Sequence, residues 1–176
     1  QSVPGLPEKF QEKAVHGLAV KRDAYVANLI KSGSNVTTAE GRTQDNIKGA
    51  IDAAIVALRE RNFDEDGVIE ITPDVYAIFK NELVELKTAN DELVKKGVVG
   101  MYDGFKVIMT NGLAKDEGHA YCAVRGTKAI AFAGQINEVE AGRMEKRFAD
   151  YIRGLDTFGS KVIDNNRLQV VKVPLA

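Results

Sequence analysis

Asp103-Gly104 constrains this chain more than any other pair of residues. Val98 and Val99 lead into it, and Phe105, Val107 and Met109 alternate on the way out. Asp-Gly between β-prone runs is a strong hairpin signal, because a tight turn matched to strand twist needs φ > 0 at its centre. The alternation sets one strand face against a core. Residues 97–111 therefore predict a hairpin in a sheet, and the rest of the chain has to supply the layer that covers it.

Two helical patterns come first. Pro7 to about Lys31 carries Phe10, Ala14, Val15, Leu18, Ala19, Tyr25, Val26, Leu29 and Ile30, mostly on one stripe. Pro7 suits a first turn and Gly33 a stop. Gly17 weakens the middle by about 1 kcal/mol relative to Ala, or lets another backbone approach. Ser32 to Arg42 reads as a polar loop, and its Asn35-Val36-Thr37 sequon as chance. Thr43 caps a second helix whose apolar face is Ile47, Ile51, Ala54, Ile55 and Leu58, fading near Arg61-Asn62.

Val68–Ile71 reads as a short strand, with Thr72 and Pro73 as cap and first residue of a third helix carrying Val75, Tyr76, Phe79, Leu83 and Leu86. After the hairpin, Asn111-Gly112 is a turn, Ala114–Gly118 polar, and His119–Val124 a strand. Ala129–Gln135 is ambiguous. Glu138–Leu155 is more so: Met144, Phe148, Ile152 and Leu155 recur at helical spacing, yet Phe148, Asp150 and Ile152 also share one face of a strand. Ser160–Ile163 reads extended, Asn165-Asn166 as a turn, and Leu168–Val173 as a last strand. Helices mixed with a largely antiparallel sheet give an α+β class.

The 176 residues suffice for one domain with a core, or one with a protruding lobe. A formal net charge of -1 argues against a dedicated nucleic-acid binder. No apolar run approaches the roughly 18 residues of a membrane span. Gln1–Phe10 is polar and lacks the pattern of a signal peptide. The single cysteine, Cys122, cannot form an internal disulfide, which fits a reducing compartment.

A search for chemistry assigns no catalytic, cofactor-binding or metal-binding residue. His119 and Cys122 lie three apart in a strand, on opposite faces, which is poor geometry for a nucleophilic pair. His16 has no companion at i+4 to make a metal pair. Asp64-Glu65-Asp66-Gly67 lacks the spaced oxygen ligands of a calcium loop. No phosphate loop, dinucleotide fingerprint or nucleophile elbow occurs. The carboxylate pairs Asp64/Asp66 and Glu138/Glu140 read as solvated charge. From Glu140 to Lys161 charges alternate densely (Arg143, Glu145, Lys146, Arg147, Asp150, Arg153, Asp156). That stretch is either a solvated face or a surface that pairs with copies of itself.

Three motifs occur in order. Pro73-x-x-Tyr76 opens a helix. Gly97-x-x-Gly100-x-x-x-Gly104-Phe105-x-Val107-x-x-Thr110-Asn111 is the hairpin. Arg143-x-Glu-Lys-Arg-Phe148-x-Asp150-x-Ile-x-Gly154-Leu155-x-x-Phe158-Gly159-x-Lys161-Val162 runs towards the end. Together they resemble the C-terminal two-thirds of tailed-bacteriophage or prophage major capsid proteins, over nearly the whole chain. The resemblance implies a shell-forming α+β fold. Residues 1–72 would be peripheral and hold the long spine helix. Residues 73–135 would be mostly axial, and 136–176 would return as peripheral strands. It makes Phe148–Val162 extended, against the helical spacing.

It also implies a structural, non-enzymatic subunit of a virion shell assembled in the bacterial host cytoplasm. Copies of the chain would pack as hexamers and pentamers around DNA held non-specifically. Scaffolding and portal proteins would be further partners, with no membrane and no cofactor. The family's N-terminal arm and extended hairpin have no counterpart here, so a fragment is expected. A nanocompartment shell protein of the same fold and an α+β ligand-binding or enzymatic domain stay open as alternatives.

Overall fold

The computed structural model describes residues 6–80, 98–144 and 150–175. Three helices, α1 (Leu6–Ile30), α2 (Gln44–Glu60) and α3 (Pro73–Phe79), are distributed among nine strands. The strands are β1 (Val36–Thr38), β2 (Gly67–Ile71), β3 (Val98–Tyr102), β4 (Phe105–Met109), β5 (Lys115–Asp116), β6 (His119–Gly126), β7 (Ile130–Arg143), β8 (Asp150–Val162) and β9 (Leu168–Pro174). A 3-10 turn, Asn165–Arg167, precedes β9. Seven strands form one sheet in the order β1-β9-β6-β2-β4-β3, with β5 on β6. β7 and β8 form a separate two-stranded ribbon.

The hairpin forms where the sequence places it. Asp103 and Gly104 both have positive φ, 46° and 85°, as a tight two-residue turn requires. Phe105 and Val107 are buried against α2. The Tyr102 hydroxyl donates to Asp52 Oδ1 of α2 at 2.6 Å, and Phe63 stacks on Phe105 at 5.7 Å. α2 is positioned by its cap: Thr43 Oγ1 accepts from Asn46 N at 3.3 Å. Its buried face is Ile47, Ala50, Ile51, Ala54, Ile55 and Leu58.

Thr72 and Pro73 open α3 as expected, but the Thr72 hydroxyl makes no capping bond and is buried without a partner. Leu83 and Leu86, read as a continuation of that helix, lie outside the described residues, as does Gly97.

The sheet is less antiparallel than its sequence suggests. β1 runs parallel to β9 and β2 parallel to β4. β1 falls inside the stretch expected to be a polar loop. Three residues hold it there by pairing Val36–Thr38 with Val170–Lys172, flanked by Val170 N to Asn35 O (2.8 Å) and Ala39 N to Lys172 O (2.8 Å). Ala114–Gly118, expected to be merely polar, makes a second hairpin with β6 through Glu117 and Gly118, both at positive φ.

The helical spacing through Ile152 and Leu155 is overruled. Asp150–Val162 is a strand, as the family resemblance implies, because β7 supplies a cross-strand partner for nearly every residue of it. Phe148 lies outside the described residues.

Two cores sandwich the sheet. On one face α2 and α3 cover Ile69, Ile71, Val107, Cys122, Val124, Val171 and Val173. On the other, Ala27 and Ile30 at the end of α1 meet Leu113, Tyr121, Ala123, Leu168 and Val170. Lys31 then pairs with Asp116 of β5.

The Gly104→Val variant should lose about 1–2 kcal/mol, since nothing lies near the added Cβ and the cost is backbone strain alone. A lowered urea midpoint with an unchanged m-value is the expected readout. The Lys31 ammonium, through its hydrogen bond, holds the Asp116 carboxyl below its usual range. A lowered folded pKa gives stability that is present above the unfolded value and lost as pH falls through the folded one. Lys31→Gln should therefore have a lower urea midpoint than the wild type at neutral pH. The two midpoints should converge below about pH 4.

Candidate assembly surfaces

The ribbon and α1 form an arm beside the sheet. Arg22 of α1 grips Asp156 of β8, with Nε donating to Oδ2 at 2.7 Å and a second, shorter contact from Nη2 to Oδ1. Asp156 is only 5% exposed there. One turn along α1, Tyr25 meets the Phe158 ring edge-on at 5.4 Å, and Phe158 stacks on Phe132. Strand alternation places Asp156, Phe158 and Ser160 on the face towards α1. Ala131, Ala133 and Gln135 of β7 and Lys161 of β8 are exposed on the other.

Much of this arm's apolar surface is left open by the described residues. Every residue from Gln11 to Val20 is exposed, among them Ala14, Val15, Leu18 and Ala19 of the expected stripe. Val15 is 62% exposed, and Leu18 and Val20 are also open. Among the described residues nothing lies within 4 Å of a Cβ placed on Gly17, so none of their backbone approaches there. Past the register shift between Ile136 and Glu138, Leu155 is 56% exposed. Periodicity reveals that a stripe exists, but not whether its own chain covers it.

The charged stretch is partly satisfied internally. Arg153 Nε donates to Glu140 Oε2 across the ribbon at 2.7 Å, and both side chains are exposed. Asp156 is taken by Arg22. The side chain of Glu138 lies outside what the structure describes.

The other residues singled out by sequence do not converge. Cys122 faces the α2 core and His119 is half-buried, its ring nitrogen Nδ1 2.9 Å from the Glu117 carbonyl. Burial pushes the Cys122 thiol up to about 12. A thiolate nucleophile is thus disfavoured at neutral pH. His16 lies on the exposed half of α1, in a shallow concavity with Gln11, Glu12, Val15 and Ala19. Asp64 and Asp66 are exposed. Glu65, between them, instead pairs with Arg167 and Lys128, a role the sequence did not indicate. Among the described residues no group of three His, Cys, Asp or Glu is placed to hold a metal.

Cys122 should resist alkylation in the native protein at pH 8 and react fully in urea. The native rate should rise in step with the population of opened molecules when Gly104→Val is introduced.

No protein-family model matches the sequence, and neither does any curated protein. Solved structures share the fold. A chain of Mycobacterium phage Che8 aligns at a TM-score of 0.76 and 21% identity, over 93% of this chain and 62% of its own. The capsid of the cyanophage P-SCSP1u gives 0.74 at 13% identity, over 100% and 67%. The holo-SrpI encapsulin complex of Synechococcus elongatus PCC 7942 gives 0.69 at 12% identity, over 97% and 67%. The chain thus spans 62% of the first of these structures and 67% of the other two. With α1 and the long ribbon beside a mixed sheet, matched across nearly its whole length, this chain has the fold of the tailed-phage major capsid proteins.

Proposed function

We propose that the chain is a structural subunit of a phage or prophage icosahedral capsid that encloses packaged DNA. Copies would assemble as hexamers and pentamers in the virion. The observation that carries this reading is the arm. A 25-residue helix leaves Val15, Leu18 and Val20 exposed, and a two-stranded ribbon exposes Leu155 and Phe132. An isolated two-stranded ribbon is marginal in water, and contiguous exposed apolar surface marks a protein contact. Mixed-sign charge beside it gives register between copies more than affinity.

The role is structural and non-enzymatic. Cys122 and His119 are set apart on opposite faces, and Asp156 and Glu140 are engaged in ion pairs. Within the subunit we assign α1 and the ribbon to the peripheral part and the β3–β4 hairpin to the axial part. The support is that Arg22 ties α1 to β8, while the hairpin belongs to the seven-stranded sheet.

A non-viral nanocompartment is the second reading, favoured by the match to the SrpI encapsulin. Particle contents separate the two: nuclease-protected DNA marks a capsid, and packaged protein a compartment.

Self-association tests the shared part of both readings. By light scattering and electron microscopy, the chain should form higher assemblies as concentration rises. Val15→Asp and Leu155→Asp each put a carboxylate into the proposed contact and should weaken association roughly tenfold or more. Their urea midpoints should stay near wild type, since both sites are exposed. A strictly monomeric chain at all concentrations, or variants that associate as well as wild type, would count against a shell subunit.

A further inference from the structure

The loop between β4 and β5 is fastened at both ends. Thr110 N donates to the Ile71 carbonyl at 3.0 Å, and the Ala114 carbonyl accepts from Tyr121 N at 3.0 Å. Leu113 is buried with Ala27 and Ile30 at the end of α1. Gly112 lies against the same helix: a Cβ there would sit 3.3 Å from Ala24 Cα and 3.5 Å from Ala27 Cβ. Between these anchors Asn111 is exposed.

Asn111-Gly112 is the one Asn-Gly pair in the sequence, and such a pair carries a reaction of its own. Once Gly112 N gives up its proton, its lone pair attacks Asn111 Cγ. The new N–Cγ bond closes a cyclic imide, the Cγ–Nδ2 bond breaks, and the nitrogen leaves as ammonia with the proton. Water then opens the ring. Cleavage of the N–Cγ bond gives aspartate. Cleavage between that nitrogen and the Asn111 carbonyl carbon gives isoaspartate, whose main chain runs through Cβ and Cγ. Water is consumed and ammonia released, with no oxidant or reductant. Glycine favours the attack because no Cβ crowds the nitrogen. The two Asp-Gly pairs are poorer candidates, since a carboxylate is a weaker electrophile than a carboxamide. Arg59 also holds Asp103, at Oδ2 and at the carbonyl, both 3.0 Å away, and Gly67 is buried in β2.

The fold opposes the first step at one point. Gly112 N donates to Thr110 Oγ1 at 3.2 Å, so the attacking nitrogen is engaged until that bond is given up. We propose that Asn111 is a modification site, deamidating spontaneously through a succinimide with Gly112 at a rate that the Thr110 hydroxyl restrains. Thr110 is a positioning residue, acting on Gly112 N. Isoaspartate adds a main-chain carbon between anchored residues, and either product adds a negative charge. Both changes fall where the loop seats the end of α1. This chemistry is independent of whether the chain builds shells.

Incubation of the native protein in mildly alkaline buffer, followed by peptide mass spectrometry and isoaspartyl methyltransferase labelling, reads the conversion of each asparagine. Asn111 should convert first. Thr110→Val should speed it roughly two- to tenfold, the factor in rate of one neutral hydrogen bond given up before the step. Thr110→Ser keeps the hydroxyl and should match the wild type. In urea, where the bond is lost in every variant, the three rates should coincide above the native wild-type rate, which reads the restraint even where Thr110→Val does not fold. In the purified isoaspartyl form, amide exchange over residues 24–30 should be roughly tenfold faster, with α2 unchanged. Another asparagine converting first, a folded Thr110→Val that deamidates at the wild-type rate, or native conversion as fast as in urea would overturn the restrained site. An isoaspartyl form with wild-type exchange would overturn its effect on α1.

Discussion

β6 is the strand on which the rest of the structure depends. It pairs with β2 on one side and β9 on the other, and β5 folds back onto its start. Its residues divide alternately between two cores: Cys122 and Val124 face α2, while Tyr121 and Ala123 face the end of α1. A strand buried on both faces has no place for a strongly polar side chain except at its ends, and that is where His119 and Arg125 fall. Arg125 is accommodated by Glu70 of β2, 2.5 Å away. With one partner removed, the other becomes a poorly solvated charge beside the sheet, which costs far more than the pair contributes.

How much of this could be read from the sequence follows from how local each signal is. The β3–β4 hairpin and the Thr43 cap are fixed by neighbours within a few residues, and both form as read. β1 escaped because its three residues gain their place from β9, more than 130 positions away, and neither composition nor period carries that information. The β5–β6 turn escaped because Glu117 adopts positive φ without being Asn, Asp or Gly. β8 is the instructive conflict. Its residues satisfy a helical period, and only the pairing offered by β7 decides the matter. The family resemblance carried the right answer there because it encodes the partner strand.

The proposed assembly surface was legible in kind and not in detail. The alternating charges from Glu140 to Lys161 drew attention to the ribbon, yet two of the carboxylates there are used within the chain, Glu140 by Arg153 and Asp156 by Arg22. The apolar stripe of α1 was visible in full, but a period reports only that one helical face prefers to leave water. Part of that face is met by β8 and the second core, and part is left open by the described residues. Glu65 was legible as part of an acidic turn. Its partners, Lys128 and Arg167, come from two later turns that only the fold brings together.

These features together give the molecule an uneven distribution of stability. The central strands β6 and β9 have both faces packed, so they are expected to open only with global unfolding. Among the described residues the arm is held by the Arg22–Asp156 pair, a small aromatic group and the core that Ala27 and Ile30 share with Ala129. Two strands alone bury too little to be independently stable. The arm therefore gains most from any surface that covers Val15, Leu18 and Leu155, and the sheet gains little. An association that covered these side chains would not need to reshape the core; it would add a layer to a part that the described residues leave open.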